Sequence, residues 1–231
     1  YDYDAALELH IEQGPYLDEN DVDVGVVTGI VGISWGAVTF RGEANHSGTT
    51  PMHHRDDALV AGADLITGIR RIATTVGDRT VGTAGYADVD PNSINVIPEE
   101  VTVTWGFRDP SADTIAQARE RVLDEAAGAA DREGLDWEYE DRMSVDPVRF
   151  PDRCVDAVQQ ATDAHEFDSM QVFSGGVHDI QHLGGLMDTG MVFAVSEDGK
   201  SHTEAEYTSW ADCCAAANTL ASATVSRITC G

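Results

Sequence analysis

Residues 100–145 read EVTVTWGFRDPSADTIAQARERVLDEAAGAADREGLDWEYEDRMSV, and this stretch decides the fold of the middle of the chain. Apolar and polar residues alternate at both of its ends, as they do in half-buried strands. Between these ends lies a helical segment, for which Ser111 is the predicted N-cap and Gly134 the predicted stop. The stretch therefore predicts a strand, a helix and a second strand.

A similar set of elements precedes this stretch. Residues 25–44, GVVTGIVGISWGAVTFRGEA, are rich in β-branched residues and glycine and predict two strands joined by a turn near Gly29 to Gly32. Residues 56–76 predict an amphipathic helix, and residues 77–90 predict another half-buried strand. Together these segments predict a compact α+β unit with two helices on one face of an antiparallel sheet.

The flanking segments predict a different architecture. After Pro147 the sequence predicts a helix over residues 152–165, apolar strands over 168–176 and 189–196, and a long final helix. Strands that are buried on both faces are apolar throughout, which is typical of a three-layer α/β domain. The segment LELHIEQG, residues 7–14, predicts another strand of that domain. The predicted division is 1–25 and 147–231 for the α/β domain and 26–146 for the inserted unit.

Composition and motif content exclude several classes of function. The 231 residues include 14 basic and 41 acidic residues, and the resulting formal charge of -27 opposes binding to nucleic acids and anionic membranes. Because the acids are spread along the chain, we expect a surface suited to high salt, as in halophilic proteins. No apolar run of 18 residues or basic leader segment is present, so we expect a soluble, cytoplasmic protein. No GxSxG, Walker or Rossmann glycine pattern occurs.

The cysteines Cys154, Cys213, Cys214 and Cys230 have neither CxxC spacing nor the density of a disulfide scaffold. We expect all four to be small buried hydrophobic residues. Zinc capture by the adjacent Cys213 and Cys214 is the alternative.

Two histidines lie in polar clusters at predicted strand ends. His10 has Glu8 and Glu12 close in sequence, and His202 follows a buried strand, where α/β proteins place ligand-binding groups. Two histidines with carboxylates nearby could share a zinc ion. The alternative for His10 is a hydrogen-bonded core or edge residue, and spacing alone leaves both interpretations open.

Three further clusters allow both a binding and a structural interpretation. NHSGTTPMHHRDD, residues 45–57, could hold an anion before a helix N-terminus or form a capped loop. Asn95 lies in PNSINVIP, where a turn is the alternative, and Arg108 ends a strand, where it could grip a carboxylate or form a surface ion pair. Asp179 could fix the tautomer of His178 or begin a helix.

Five motifs follow one another along nearly the whole chain: LELHIEQGP, HSGTTPM with RDDAL, PNSINVIP with FRD, SGGVHD and SHTEAEYT. In this order they resemble the N-carbamoyl-L-amino-acid hydrolase family, which includes allantoate amidohydrolases and microbial β-ureidopropionases among the zinc exopeptidases of the aminoacylase and carboxypeptidase type. The resemblance implies a partial three-layer α/β catalytic domain of the zinc-exopeptidase kind, with an inserted α+β (ferredoxin-like) dimerisation domain. A homodimer that forms through the inserted domain follows by analogy.

The resemblance also implies roles for single residues. His10 and His202 would be ligands of two divalent metal ions, with zinc expected and manganese or cobalt as alternatives. His46 would have a catalytic role in holding the developing oxyanion. The residues implied to bind substrate are Gln13, His46, Asn95 and Arg108.

The implied activity is metal-dependent hydrolysis of the carbamoyl or ureido C–N bond of N-carbamoyl-L-amino acids or allantoate, as in hydantoin or ureide utilisation. One alternative is an N-acyl amino acid or dipeptide hydrolase of the same fold, and another is a catalytically incompetent, truncated fragment that dimerises. The family's upstream histidine, bridging aspartate and Glu-Glu pair cannot be placed here, so we expect this chain to be the C-terminal part of the enzyme. Val177 stands where the family usually has glycine.

Overall fold

The structure is a computed structural model that describes residues 3–229. It divides into two compact units, a central unit (Gly32–Asp146) and a discontinuous unit formed by the residues up to Val31 and from Pro147 onwards. The described residues form, in chain order, β1 (Ala5–Ile11), α1 (Tyr16–Glu19), β2 (Val24–Ile30), β3 (Gly32–Arg41), α2 (Ala58–Val76), β4 (Val81–Asp90), β5 (Glu100–Asp109), α3 (Ala112–Glu133), β6 (Asp136–Val145), β7 (Val148–Arg149), α4 (Asp152–Ala164), β8 (Ser169–Ser174), β9 (Asp188–Ala194) and α5 (Trp210–Thr229). Short 3₁₀ helices span Met52–His54, Asp179–His182 and Glu197–Gly199.

The central unit is an antiparallel sheet of strand order β4-β5-β3-β6 with α2 and α3 packed against it. Its chain order of strand, helix, two strands, helix and strand is the ferredoxin-like arrangement. Burial alternates strictly along β5, so one face of the sheet meets the two helices and the other faces outward. The predicted α+β architecture is confirmed. Its core includes Val38, Phe40, Leu65, Ile69, Val103, Phe107 and Val122.

The helix ends of the central unit follow local sequence signals. The side chain of Asp57 accepts a hydrogen bond from the Leu59 amide at the start of α2. The hydroxyl of Ser111 accepts one from the Thr114 amide at the start of α3, and Gly134 ends that helix with a φ of 71°. The predicted cap and stop of α3 are therefore both confirmed.

In the sheet of the central unit, two tryptophan side chains each lie against a glycine of the neighbouring strand. The register of β3 and β5 places Trp35 opposite Gly106 and Gly36 opposite Trp105. A Cβ atom on Gly106 would lie 2.7 Å from Cδ1 of Trp35, and one on Gly36 would lie 2.7 Å from Cζ2 of Trp105. Each indole therefore occupies the space above the glycine on the neighbouring strand, one on each face of the sheet.

The discontinuous unit contains a mixed sheet of order β1-β9-β2-β7, in which β8 also pairs with β2. Its core includes Leu17, Val158, Met191 and Phe193. A Cβ atom on Gly190 would lie 2.8 Å from Leu7 and 3.0 Å from Cys154 of α4, so Leu7 faces that helix. Because side chains alternate along a strand, Leu9 faces the same side as Leu7, whereas Glu8 and His10 face away from α4.

The first predicted boundary differs from the observed division. Residues 26–30 belong to β2, which pairs with β8 and β9 in the sheet of the discontinuous unit, whereas β3 pairs with β5 and β6. The two strands predicted around Gly29 to Gly32 exist, but they belong to different sheets. Every residue of β2 except Thr28 is buried, which suits an interior strand of the α/β unit. The second boundary, between Asp146 and Pro147, coincides with the predicted one.

Of the three cysteines within the described residues, the prediction of burial holds for one. Cys154 is buried, but Cys213 and Cys214 are half-buried, because adjacent positions on α5 cannot both face the core. Cys230 lies outside the described residues. None of the helices within residues 3–229 combines the length and the apolar character that a membrane span requires.

Candidate functional site

His10 occupies the penultimate position of β1 and has a defined tautomer. Its Nδ1 atom lies 2.9 Å from the carbonyl oxygen of Ile11. Since a carbonyl oxygen can only accept, Nδ1 carries the proton and Nε2 of the neutral ring keeps a lone pair. A histidine held by its backbone in this way is suited to bind a metal ion through Nε2.

His178 packs against this histidine. The two ring centroids lie 4.7 Å apart with an interplanar angle of 66°, an edge-to-face arrangement. Nε2 of His178 is 2.7 Å from the hydroxyl of Ser174, and Nδ1 is 4.0 Å from a carboxylate oxygen of Glu8. Burial, and secondly the neighbouring His10, lower the pKa of His178 to about 4, with Asp179 acting in the opposite direction. His178 is therefore neutral near pH 7.

The close approach in the SGGVHD loop occurs at Gly176. A Cβ atom there would lie 3.3 Å from Nε2 of His178 and 3.5 Å from Oε1 of Gln13. Val177, which replaces the family's usual glycine, is exposed. Asp179 begins the 3₁₀ helix Asp179–His182, which agrees with the structural interpretation of this position.

Gln13 lies just beyond β1 and links two of the predicted motifs. Its backbone amide donates to the hydroxyl of Ser196, and its side-chain amide donates to the hydroxyl of Ser201, both at 2.9 Å. Gln13 and His202 both have a φ of 56°, which is uncommon for residues with a side chain. The structure therefore brings the HIEQG and SHTEAEYT motifs together in the discontinuous unit.

Glu206 completes this link. One of its carboxylate oxygens accepts from the Ser201 hydroxyl at 2.6 Å and from the His202 amide at 3.0 Å. These two hydrogen bonds lower the pKa of Glu206, and His202 and His10 lower it further when their rings are protonated. Both predicted metal ligands are thus within electrostatic reach of one carboxylate.

Glu12 has a structural task in the same motif. It is buried, and its two oxygens accept from the backbone amides of Tyr16 and Leu17 at 2.9 Å each, at the start of α1. Burial raises the pKa of Glu12, although these amides oppose the rise. Because both oxygens are engaged, Glu12 holds the turn that follows Gln13.

In the central unit, the structure brings His46 and Asn95 together. His46 forms an antiparallel bridge with Val96, and the Ser47 amide donates to the Asn95 carbonyl at 3.1 Å. The Gly48 amide donates to Nδ1 of His46 at 3.0 Å, so the neutral ring carries its proton on Nε2. This exposed ring presents an N–H donor, the form needed to stabilise a negative oxygen.

Arg55 stabilises the loop that carries His46. Its guanidinium donates to the carbonyl oxygens of Ser47 at 2.6 Å and Thr50 at 3.1 Å. These bonds close the segment between Ser47 and Thr50 and favour the capped-loop interpretation for Arg55 itself. The exposed edge of the loop remains open for a ligand.

Arg108 lies at the opposite end of the central sheet. It pairs with Ile33, whereas His46 follows Arg41, which pairs with Glu100. Its guanidinium lies 6.0 Å from the centroid of the Trp35 ring, and burial lowers its pKa. A cavity of about 440 Å³ on this face is lined by Trp35, Val81, Thr83, Tyr86, Thr104, Arg108 and Arg142, among others.

Sequence reasoning missed several partners of the predicted site residues. The contacts of His178 with His10, of Ser201 with Gln13 and of Trp35 with Arg108 join residues far apart in sequence. Glu206 had a weak local signal, since it follows His202 by four residues in SHTEAEYT. Among residues 3–229, no group of three or more histidine, cysteine, aspartate or glutamate side chains is placed to hold a metal ion.

Fold and motifs together define a class. The chain belongs to peptidase family M20/M25/M40, whose family model matches residues 1–225. The chain is 36% identical over 211 residues to an N-carbamoyl-L-amino-acid amidohydrolase of Paenarthrobacter aurescens, covering 91% of this chain and 51% of the relative. It is 32% identical to an allantoate amidohydrolase of Escherichia coli, covering 95% of this chain and 54% of the relative.

Comparison with a solved structure supports the same family assignment. The amidase of the hydantoinase/carbamoylase family from Burkholderia multivorans matches with a TM-score of 0.90 and 38% identity, over 97% of this chain and 55% of that one. The predicted α/β class and the family resemblance are confirmed. The chain spans about half the length of the curated relatives it matches.

Proposed function

We propose that this chain is part of a metal-dependent amidohydrolase that cleaves the carbamoyl or ureido C–N bond of N-carbamoyl-L-amino acids or allantoate. The relatives named for these reactions support the proposal. The observation that carries it is the hydrogen-bonded connection of Gln13, which follows His10 in the HIEQG motif, through Ser201 and Glu206 to His202. This connection joins the two motifs in which the metal ligands are expected.

His10 and His202 would hold part of a pair of divalent ions, with zinc expected and manganese or cobalt as alternatives. The Nε2 lone pair of His10 fits this task. When bound, such ions activate water and polarise the bond under attack. The remaining ligands and the general base would come from a part of the enzyme beyond this chain, since two histidines are too few for a dinuclear site.

The central unit would supply groups that recognise substrate. His46 would donate its Nε2–H to the oxygen that gains negative charge, with the Asn95 amide beside it. Arg108 would grip the substrate carboxylate with two parallel N–H donors. Gln13 would bind substrate next to the metal ligands, with its side chain oriented by Ser201.

The positions of these groups favour a homodimer. Along β5, Glu100 and Arg108 are roughly 26 Å apart, at about 3.3 Å per residue, and the pairing that carries His46 and Asn95 continues beyond Glu100. One small substrate cannot contact both ends of this sheet. We therefore propose that His46 and Asn95 serve the active site of a second copy, while Arg108 serves the active site of its own copy.

Substrate comparison in the complete enzyme tests the activity. The enzyme, freed of metal and reloaded with zinc, manganese or cobalt, should hydrolyse N-carbamoyl-L-amino acids or allantoate faster than N-acetyl amino acids or dipeptides. His46→Ala should lower kcat by about 100-fold or more, as removal of an oxyanion donor does. The matched control His53→Ala, in the same exposed loop, should keep full activity. Faster cleavage of acetyl substrates would favour the N-acyl hydrolase alternative, and no cleavage of any substrate by the complete enzyme would refute the proposed activity.

Complementation tests the shared site. His46→Ala and Arg108→Ala should each be inactive as homodimers. Coexpression should restore about a quarter of the activity, because half of the dimers are mixed and each mixed dimer has one intact site. Absence of restored activity in verified mixed dimers would refute the shared site.

A further inference from the structure

The SGGVHD loop has no role in the function proposed above, yet its histidine is in ring contact with an expected metal ligand. His178 is only 5% exposed and lies edge-to-face on His10, with 4.7 Å between the ring centroids. It also packs on Phe193, at a centroid distance of 5.6 Å. The ring of His178 therefore fills the space between the core of the sheet and His10.

The position of His178 is fixed by its own loop. Its Nε2 atom lies 2.7 Å from the Ser174 hydroxyl, which in turn bonds to both the amide and the carbonyl of Gly176 at 3.1 Å. The backbone of Gly176 passes so close that a Cβ there would lie 3.3 Å from Nε2. These contacts leave the ring little freedom to move.

The loop is also fastened to β1. The Ile180 amide donates to Oε2 of Glu8 at 2.7 Å, immediately after His178 and Asp179. Glu8 and His10 are two residues apart, so they project from the same face of the strand. The loop thus meets two successive side chains of β1, by a hydrogen bond at Glu8 and by a ring contact at His10.

We propose that His178 is a positioning residue that holds the ring of His10 in the orientation in which Nε2 faces the metal. This inference rests on the proposed metal role of His10. The hydrogen bond from Nδ1 to the Ile11 carbonyl restrains one edge of the His10 ring. The ring of His178 restrains it through the ring contact, so the two contacts together define the direction of the Nε2 lone pair.

Metal titration of the complete enzyme tests this proposal without relying on activity. Zn²⁺ affinity is measured by calorimetry, and Co²⁺ binding by its visible absorption spectrum. His178→Ala should weaken binding at one metal position by about 10- to 100-fold, as loss of a supporting residue does. His178→Phe, which keeps a flat ring of similar size but loses the hydrogen bond to Ser174, should restore only part of the lost affinity. The control Val158→Ala, a buried residue of α4, should lower the melting temperature without changing metal affinity.

Ser174→Ala provides a second test that leaves no cavity the size of a ring. It removes the hydroxyl that anchors Nε2 of His178 and should weaken Zn²⁺ binding and broaden the Co²⁺ spectrum. Equal metal affinity in the unchanged enzyme, His178→Ala and Ser174→Ala would overturn the positioning role. Failure of the unchanged enzyme to bind any divalent metal would instead refute the proposed function, so the two failures are distinguishable.

Discussion

Alanine at Gly36 should lower stability far more than alanine at Gly106, although the two glycines occupy equivalent positions in one strand pair. At Gly36 the new Cβ would lie 2.7 and 2.8 Å from two atoms of the Trp105 ring and 2.9 Å from the carbonyl oxygen of Glu140. At Gly106 it would lie 2.7 and 2.9 Å from two atoms of the Trp35 ring. The two substitutions differ in whether the tryptophan that meets the new Cβ can move away.

Trp105 is 2% exposed and stacks on Tyr139, so it cannot withdraw from a Cβ at Gly36. Such overpacking costs about 1–3 kcal/mol, which lowers the melting temperature of a domain of this size by roughly 4–12 °C. Trp35 is 38% exposed and can turn outward, so the cost of Gly106→Ala should stay below about 1 kcal/mol.

The outward turn of Trp35 takes the indole away from Arg108, however. An exposed contact between a cation and an aromatic ring contributes about 0.5–1 kcal/mol, so KM for a carboxylate substrate should rise by about 2- to 5-fold. Calorimetry measures the stability of both variants, and steady-state kinetics of the complete enzyme measures KM. Equal melting temperatures for the two variants, or a fall in stability only at Gly106, would refute this reasoning.

Three further expectations concern stability. Ser111→Ala should lower the free energy of unfolding by about 1 kcal/mol in urea titrations, because the Thr114 amide loses its cap. The melting temperature should rise from about 0.1 M to multimolar KCl, since the acidic surface repels itself less at short Debye lengths; equal values would contradict a halophilic surface. Hydrogen bonds from Arg119, and secondly from Tyr139, lower the pKa of Asp141. The lowered pKa stabilises the folded state above the ordinary aspartate pKa near 3.9, and this stabilisation is lost as the pH falls through the pKa of Asp141 in the folded protein. Arg119→Gln should therefore raise the Asp141 midpoint in an NMR titration, and an unchanged midpoint would exclude Arg119 as the cause.

Elements with strong local signals could be predicted from the sequence. The cap at Ser111, the stop at Gly134 and the alternation along β5 depend on neighbours within a few residues, and all three occur as expected. The predicted boundary after residue 25 was wrong because it depends on contacts between residues far apart in sequence. Both β2 and β3 are rich in β-branched residues, and only long-range pairing decides that they belong to different sheets.

The sequence could indicate candidate site residues but not how they are arranged in space. Motifs could indicate His10, Gln13 and His202, because residue types and their order carry the family resemblance. They could not indicate that Ser201 and Glu206 connect these motifs, since hydrogen bonds over more than 180 residues depend on the parallel pairing of β1 with β9. The same limit applies to His178, whose local sequence favours a helix start and whose ring contact is set by tertiary packing.

The antiparallel register of β3 and β5 explains both the pairing of His46 with Asn95 and their separation from Arg108. With Gly32 opposite Asp109, the segment after β3 necessarily meets the segment before β5, and the Ile97 amide donates to the Asn45 carbonyl at 2.9 Å. The same ladder of hydrogen bonds carries Arg108 to the other end of the strand. A slip of the register that moved Arg108 toward His46 would break the sheet that assembles the His46 donor. For this reason the separation is a property of the fold itself, and the proposed homodimer is the arrangement in which His46 of one copy and Arg108 of the other would reach one substrate.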